Sequence, residues 1–253
     1  MIKRPLTLLG CAAVLLIASS DVAFAQASFS VDPLLIELDA QSNSSVLSIT
    51  NPTAREIRFE IKAFLWNQAP PDGTMQLTPT QDVVIFPPLV SIKPRMTQRV
   101  RVGTTAAPGA IEKSYRIMVE ELPTGDAAPV ANTVAIRTRI GIPVFIAPTK
   151  VVRAGSIGDV SIKNRTVSVT LSNTGTKHVM VDEVVIRGMV GPDEQSFEQS
   201  MQGWYVLAGK SRTWQYTFKP TQCRATKFIE IEAFGHDKVL KSRVDVPPGT
   251  CTP

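Results

Sequence analysis

The chain has little of what most catalytic or metal-binding proteins need. It holds three cysteines and two histidines in 253 residues. Cys11 lies in the N-terminal apolar run, so Cys223, Cys251, His178 and His236 remain, at scattered spacing that makes no ligand set. No metal or cofactor is expected. There is no Gly-x-Ser-x-Gly elbow, no Walker loop and no His-Glu-x-x-His. The one tight carboxylate pair in an obvious strand, Glu120 and Glu121, points to opposite faces and cannot act on one substrate. An enzyme is therefore not expected, and both histidines are expected in solvated turns. No Lys/Arg block concentrates positive charge in a patch or stripe, which argues against nucleic acid as a partner. No stretch shows a sustained helical period. After the N-terminus no apolar run approaches the roughly 20 residues that span a bilayer.

The N-terminal run reads as an export signal over residues 1–25. Lys3 and Arg4 form the charged start, Leu6 to Ala18 the apolar stretch, and Ala23-Phe24-Ala25 a small-x-small cleavage site. Leu8-Leu9-Gly10-Cys11 superficially resembles a lipoprotein box, but few apolar residues precede the cysteine and more follow it. Removal of the signal leaves 228 residues, enough for two ordinary domains, and lowers the net charge from +5 to +4. Cys223 and Cys251 are then an even pair in an oxidising compartment. A disulfide between them is expected, closing a loop of about 27 residues for roughly 3 kcal/mol on the chain-entropy model.

What fills the rest is alternation at period two, broken at Gly, Pro and Asn, which predicts an all-β chain. About seven strands are expected before Pro148, in Phe29–Leu38, Ser45–Thr50, Ile57–Trp66, Val83–Phe86, Leu89–Ile92, Gln98–Val102 and Ser114–Leu122. Seven more follow, in Asp159–Lys163, Val167–Ser172, Val179–Arg187, Trp204–Leu207, Thr213–Phe218, Lys227–Phe234 and Leu240–Val246. Two patterns recur between the halves. Ser48-Ile49-Thr50-Asn51-Pro52-Thr53 is matched by Thr170-Leu171-Ser172-Asn173-Thr174-Gly175, and Val90-Ser91-Ile92-Lys93-Pro94 by Tyr205-Val206-Leu207-Ala208-Gly209. A repeated β-sandwich would produce both; chance matching of short strings is the other reading. The expected domains are residues 26–148 and 149–253, with Ala147–Gly158 as a short linker.

One stretch stands apart. Ala131–Pro148 reads as a single long strand, with Val134, Ile136, Ile140, Ile142, Val144 and Ile146 on one face and Arg137, Arg139, Gly141, Pro143 and Phe145 on the other. With chemistry scarce, this strand suggests binding by strand addition, in which main-chain hydrogen bonds give affinity and side-chain register gives specificity.

Three further stretches carry a family resemblance. They are Val46-Leu47-Ser48-Ile49-Thr50-Asn51-Pro52; Phe86-Pro87-Pro88-Leu89-Val90-Ser91-Ile92-Lys93-Pro94 continuing to Gln98-Arg99-Val100-Arg101-Val102; and Glu112-Lys113-Ser114-Tyr115-Arg116-Ile117-Met118-Val119-Glu120-Glu121-Leu122-Pro123. In this order, followed by Ala131–Pro148 and behind an export signal, they resemble the periplasmic chaperones of the chaperone–usher pathway that assemble bacterial fimbriae. The resemblance covers residues 28–148; the second half is similar in size and strand content only. It implies two immunoglobulin-like sandwiches in an L-shaped arrangement, a periplasmic location, pilus subunits and an outer-membrane usher as partners, and Ala131–Pro148 as the strand donated to a subunit. Val134, Ile136 and Ile140 become the expected donated side chains, and Ile142, Val144 and Ile146 the domain core.

The departures from that family are specific. Most members hold the subunit's C-terminal carboxylate with an arginine on the first strand and a lysine on the donor strand. Here Leu34 or Leu35 and Gly141 stand at those positions. The usual aromatic-Arg-Pro ending is Phe145-Ile146-Ala147-Pro148, which removes the interdomain salt-bridge partner of Glu112. These departures look more like the archaic or alternative branch. A carboxylate in a cleft still needs cationic donors, so Arg116 and Arg139 are the expected replacements, with Arg137 in reserve. The rival reading from another class is a structural fimbrial subunit or adhesin built of Ig-like domains. An exposed donor strand also leaves the free chain open to self-association.

Overall fold

A computed structural model of the chain describes residues 29–123, 136–235 and 238–250. The expected export signal, Val134 and Cys251 lie outside the described residues. The first half carries β1 (Ser30–Asp32), β2 (Ile36–Leu38), β3 (Ser44–Thr50), β4 (Ile57–Ala69), β5 (Thr74–Pro79), β6 (Val83–Phe86), β7 (Leu89–Ile92), β8 (Thr97–Thr104), β9 (Lys113–Glu121) and β10 (Arg139–Ile146). They form two facing sheets, β1-β3-β8-β6 and β2-β10-β9-β4-β5, with β7 also paired to β4. The predicted first strand, Phe29–Leu38, divides in two. Pro33 has no N–H to give a ladder, and the chain changes sheet there, so β1 pairs antiparallel with β3 and β2 pairs parallel with β10.

The second half carries β11 (Gly155–Lys163), β12 (Thr166–Asn173), β13 (Val179–Met189), β14 (Gln195–Gln202), β15 (Tyr205–Val206), β16 (Ser211–Thr217), α1 (Pro220–Ala225), β17 (Phe228–Gly235) and β18 (Val239–Asp245). Its sheets are β11-β12-β16 and β14-β13-β17-β18, with β15 on β13. Each half has its own apolar core between its two sheets. Cys223 is buried in the second core and disulfide-bonded.

Three elements depart from the sequence reading. β5 and β14 were not expected, because Thr74–Pro79 is almost wholly exposed and Gln195–Gln202 is mostly polar. Backbone pairing to β4 and β13 holds them, with only Leu77 of β5 and Phe197 and Met201 of β14 packed inward. The helix α1 is the third: Pro220 opens it, a position that tolerates proline, and the Lys219 N–H donates to the Gln222 side chain at 2.9 Å. Six residues are too few for a helical period to register.

The long strand expected over Ala131–Pro148 is shorter. Ile136–Thr138 are not in a strand, and β10 begins at Arg139, opposite Glu120 of β9. The reason lies in its partner. β9 ends at Glu121, whose N–H reaches the Thr138 carbonyl at 3.1 Å, so the ladder that β10 joins stops there, while the Leu122 N–H continues the β4 side by donating to the Arg58 carbonyl at 2.8 Å. From Ile142 onward the alternation holds, with Ile142, Val144 and Ile146 buried.

The two recurring patterns occupy equivalent corners. Asn51 is fully buried; its Nδ2 donates to the carbonyls of Arg55 at 2.7 Å and Ile92 at 2.9 Å, and its Oδ1 accepts from the Thr53 N–H. Asn173 repeats this with Lys177, Val206 and Gly175, each at 2.9 Å. Thus the Asn motif and the later hairpin motif meet in both sandwiches, each Asn closing a turn and bridging it to a neighbouring strand. Truncation removes the amide donor from one buried carbonyl, of Ile92 or Val206, and one part-buried carbonyl, at about 1–3 kcal/mol each. Asn51→Ala and Asn173→Ala are each expected to cost about 3 kcal/mol, read as a lowered urea midpoint with unchanged slope. A loss below about 1 kcal/mol would mean that water replaces the corner.

Candidate functional site

The site is built on the outward face of the β2-β10-β9-β4-β5 sheet. Antiparallel register puts Arg116 opposite Pro143 and Met118 opposite Gly141. The same register puts Phe64 opposite Arg116, so Trp66, two residues on, shares this face. At one end the second sandwich covers the face, through a cluster of Trp66, Phe145 and Leu207 with Tyr205 packed beside it.

Arg116 is 8% exposed, and no ion-pair partner stands beside it among the described residues. Its guanidinium lies 4.8 Å from the Trp66 ring centroid and 5.3 Å from that of Trp204, so one tryptophan from each sandwich flanks the charge. Nη1 donates to the Met75 sulfur at 3.0 Å, and Nε has no partner. Burial pushes this guanidinium below the ordinary arginine value, opposed by Tyr205. A thioether is a weak acceptor, and cation–π contact supplies roughly 1–2 kcal/mol against a desolvation cost of several. The guanidinium is thus buried with only a thioether and two ring faces as partners among the described residues.

Gly141 makes room for the Met118 side chain that packs beside that arginine. A Cβ there would meet the Met118 sulfur at 3.1 Å and the Arg116 Cδ at 3.7 Å. The position where most family members carry a lysine is therefore bare, and the guanidinium of the neighbouring strand lies alongside it. Leu34 and Leu35 bring no charge to the other usual position.

Arg139 is placed differently. It shares the face with Arg116 but sits four residues along the β9–β10 ladder, about 13 Å away at the ordinary strand rise. Its side chain is half exposed and 3.6 Å from the Glu120 carboxylate. The structure therefore does not bring Arg116 and Arg139 onto one point. Arg137 is exposed and outside any strand.

Beside the buried guanidinium runs an open strand edge. β2 pairs with β10 only over Val144–Ile146, so from Arg139 to Pro143 the strand has β9 on one side and, among the described residues, no neighbour on the other. Ile140 is partly buried against the first core, while Ile136 is 76% exposed. Such an edge offers unpaired backbone groups to another chain.

His178 corrects an expectation. It is no solvated turn residue: its Nδ1–H donates to the Glu112 carboxylate at 2.6 Å, and its ring stacks on Phe145 with centroids 3.8 Å apart. Glu112, lacking the usual arginine, bridges the sandwiches through a histidine. Its partner was hidden because only folding brings residues 112 and 178 together. His236 lies outside the described residues. Glu121 is buried on Arg55 at 2.9 Å and Glu120 lies near Arg139, so the two carboxylates do face apart. Among the described residues no group of three or more His, Cys, Asp or Glu could hold a metal.

The fold is, as a class, a pair of immunoglobulin-like β-sandwiches, the first with an open strand edge beside a buried guanidinium. The family model for the pili and flagellar-assembly chaperones, PapD N-terminal domain, matches residues 28–152, so the first sandwich is a domain of that family. In fold it is similar to a chain of the CsuC–CsuE chaperone–tip adhesion subunit pre-assembly complex from archaic Csu pili of Acinetobacter baumannii. The identity is 16% over 87% of this chain and 98% of that one, at a TM-score of 0.62. A chain of the Salmonella enterica SafA pilin–SafB chaperone complex matches at 12% identity, covering 88% and 99%, with a TM-score of 0.57. The class 5 fimbriae chaperone CfaA matches at 14%, covering 87% and 99%, with a TM-score of 0.55. No curated protein matches in sequence.

Proposed function

We propose that this chain is a periplasmic chaperone of the chaperone–usher pathway, of the archaic or alternative branch. It captures an incomplete pilus subunit by donor-strand complementation and passes it to an outer-membrane usher. The observation that carries this is the open edge of β10 beside a buried, unpaired Arg116. The edge supplies backbone hydrogen bonds to a subunit strand, Ile136 and Ile140 with Val134 enter its groove, and Arg116 receives the C-terminal carboxylate. Arg139, already facing Glu120 at the rim, has a secondary part. The chain divides at Pro148, reaches the periplasm through a signal over residues 1–25, and pairs Cys223 with Cys251. It works by binding, not catalysis.

The test is periplasmic co-expression with a subunit encoded beside it, followed by pull-down. The subunit is expected to be soluble and bound only with this chain present. Ile136→Ser and Ile140→Ser together remove about 3 kcal/mol of apolar burial, which lowers capture roughly a hundredfold. A subunit that stays soluble without the chain, or is held equally well by the double variant, defeats the reading. The structural-subunit alternative predicts that copies of this chain polymerise with one another and capture nothing.

A further inference from the structure

We infer that the end of the second sandwich, with Leu35 and Glu37 of the first half, carries a binding site for a single-chain carboxylate amphiphile of about twelve carbons, in a cavity that shares Tyr205 with the Arg116 cleft but does not include the β10 edge. The cavity has a volume of about 480 Å³ and opens at the end of the sandwich nearest the first half. There β11 and β18, edge strands of the two sheets, face each other without pairing, so the layers leave a mouth. Leu171, Val181, Ala233 and Leu240 form an apolar floor that continues the second core.

The rim has a different chemistry. Lys177, Lys238 and Arg153 stand around the mouth against two carboxylates, Glu37 and Asp182. Glu37 comes from β2 of the first half, and its Oε1 accepts from the Lys177 ammonium at 2.7 Å. Lys238 has no ion-pair partner among the described residues. His178 also lines the cavity, but its ring is committed to Glu112. An apolar depth under a net positive rim selects an apolar chain with an anionic head. At about 30 Å³ for each water-sized group, the volume takes about sixteen non-hydrogen atoms; dodecanoate has fourteen. The head group reaches Lys238 and competes with Glu37 for Lys177. Because that ion pair joins the two sandwiches, occupancy also bears on how they are held together.

The experiment titrates dodecanoate, below its micelle concentration, into the full secreted chain by calorimetry. One-to-one saturable binding is expected, with dodecanol, which lacks the charge, about tenfold weaker. Lys238→Glu, an exposed change that leaves the core intact, is expected to weaken dodecanoate about tenfold. Ala233→Met, which fills the floor, removes binding while circular dichroism reports a folded chain. The proposal is overturned by no saturable binding, by a Lys238→Glu variant that binds like the parent, or by adsorption to anionic phospholipid vesicles that dodecanoate does not compete away. If Ala233→Met fails to fold, the Lys238→Glu and dodecanol arms decide the matter alone.

Discussion

Arg116→Ala is expected to lower subunit capture by two to three orders of magnitude while leaving the free chain at least as stable. Both halves follow from the same geometry. A carboxylate entering the cleft displaces the weak Met75 sulfur contact and gains a charge-assisted hydrogen bond to a guanidinium already held between Trp66 and Trp204. Losing such a buried pair is worth about 3–4 kcal/mol, or roughly 150- to 900-fold. Without a subunit, the same guanidinium is a buried charge whose partners are a thioether and two ring faces. Arg116→Met, of similar volume, should therefore stabilise the free chain by about 1–2 kcal/mol in urea unfolding, because an unpaired buried charge costs more than an apolar side chain. Arg139→Ala removes a half-exposed pair with Glu120 and is expected to change capture only a few-fold. Equal losses for the two variants, or capture that survives Arg116→Ala, would remove Arg116 from the role.

Alternation could place Ile142, Val144 and Ile146 in the core and Arg116 and Arg139 on one sheet face, because faces follow from parity. Parity says nothing about distance along a face. Arg116 is deep because the second sandwich brings Trp204 and Tyr205 over it, whereas Arg139 lies beyond that cover. Likewise Asn51 and Asn173 could be matched as motifs, but the carbonyls of Ile92 and Val206 that they bridge belong to strands set beside them by the fold. β5 and β14 escaped notice because each packs only one or two apolar residues inward, Leu77 in one and Phe197 and Met201 in the other, too few to leave a hydrophobic period. Glu112 was the least legible. Its usual partner position holds Ile146, and the histidine that replaces it is 66 residues away.

That histidine pair is the hinge of the second large effect. Glu112→Ala is expected to destabilise the chain by about 2–4 kcal/mol, because it strands polar groups in an interface that admits little water. The Glu112 side chain is 1% exposed and that of His178 9%. Glu112 Oε2 accepts from the His178 backbone N–H at 2.8 Å as well as from the ring, so truncation orphans two donors at once. The imidazole then loses what orients it against Phe145, and Phe145 is part of the Trp66–Leu207 contact that joins the sandwiches. Other staples remain: Gln68 donates to the Tyr205 carbonyl at 2.7 Å and accepts from the Leu207 N–H at 2.9 Å, Lys177 pairs with Glu37, and Arg212 and Thr213 donate to the Gly73 and Pro71 carbonyls. The halves should therefore stay attached but pivot more freely, which small-angle scattering would register as a broader distribution of maximum dimensions. Trp204 follows that motion, so the Arg116 cleft opens and subunit capture falls with the guanidinium itself untouched. Glu112→Gln keeps an acceptor for the backbone N–H and is expected to cost about half as much as alanine. A Glu112→Ala variant with parental unfolding midpoint and scattering profile would show that the other contacts between the sandwiches set the angle without the histidine bridge.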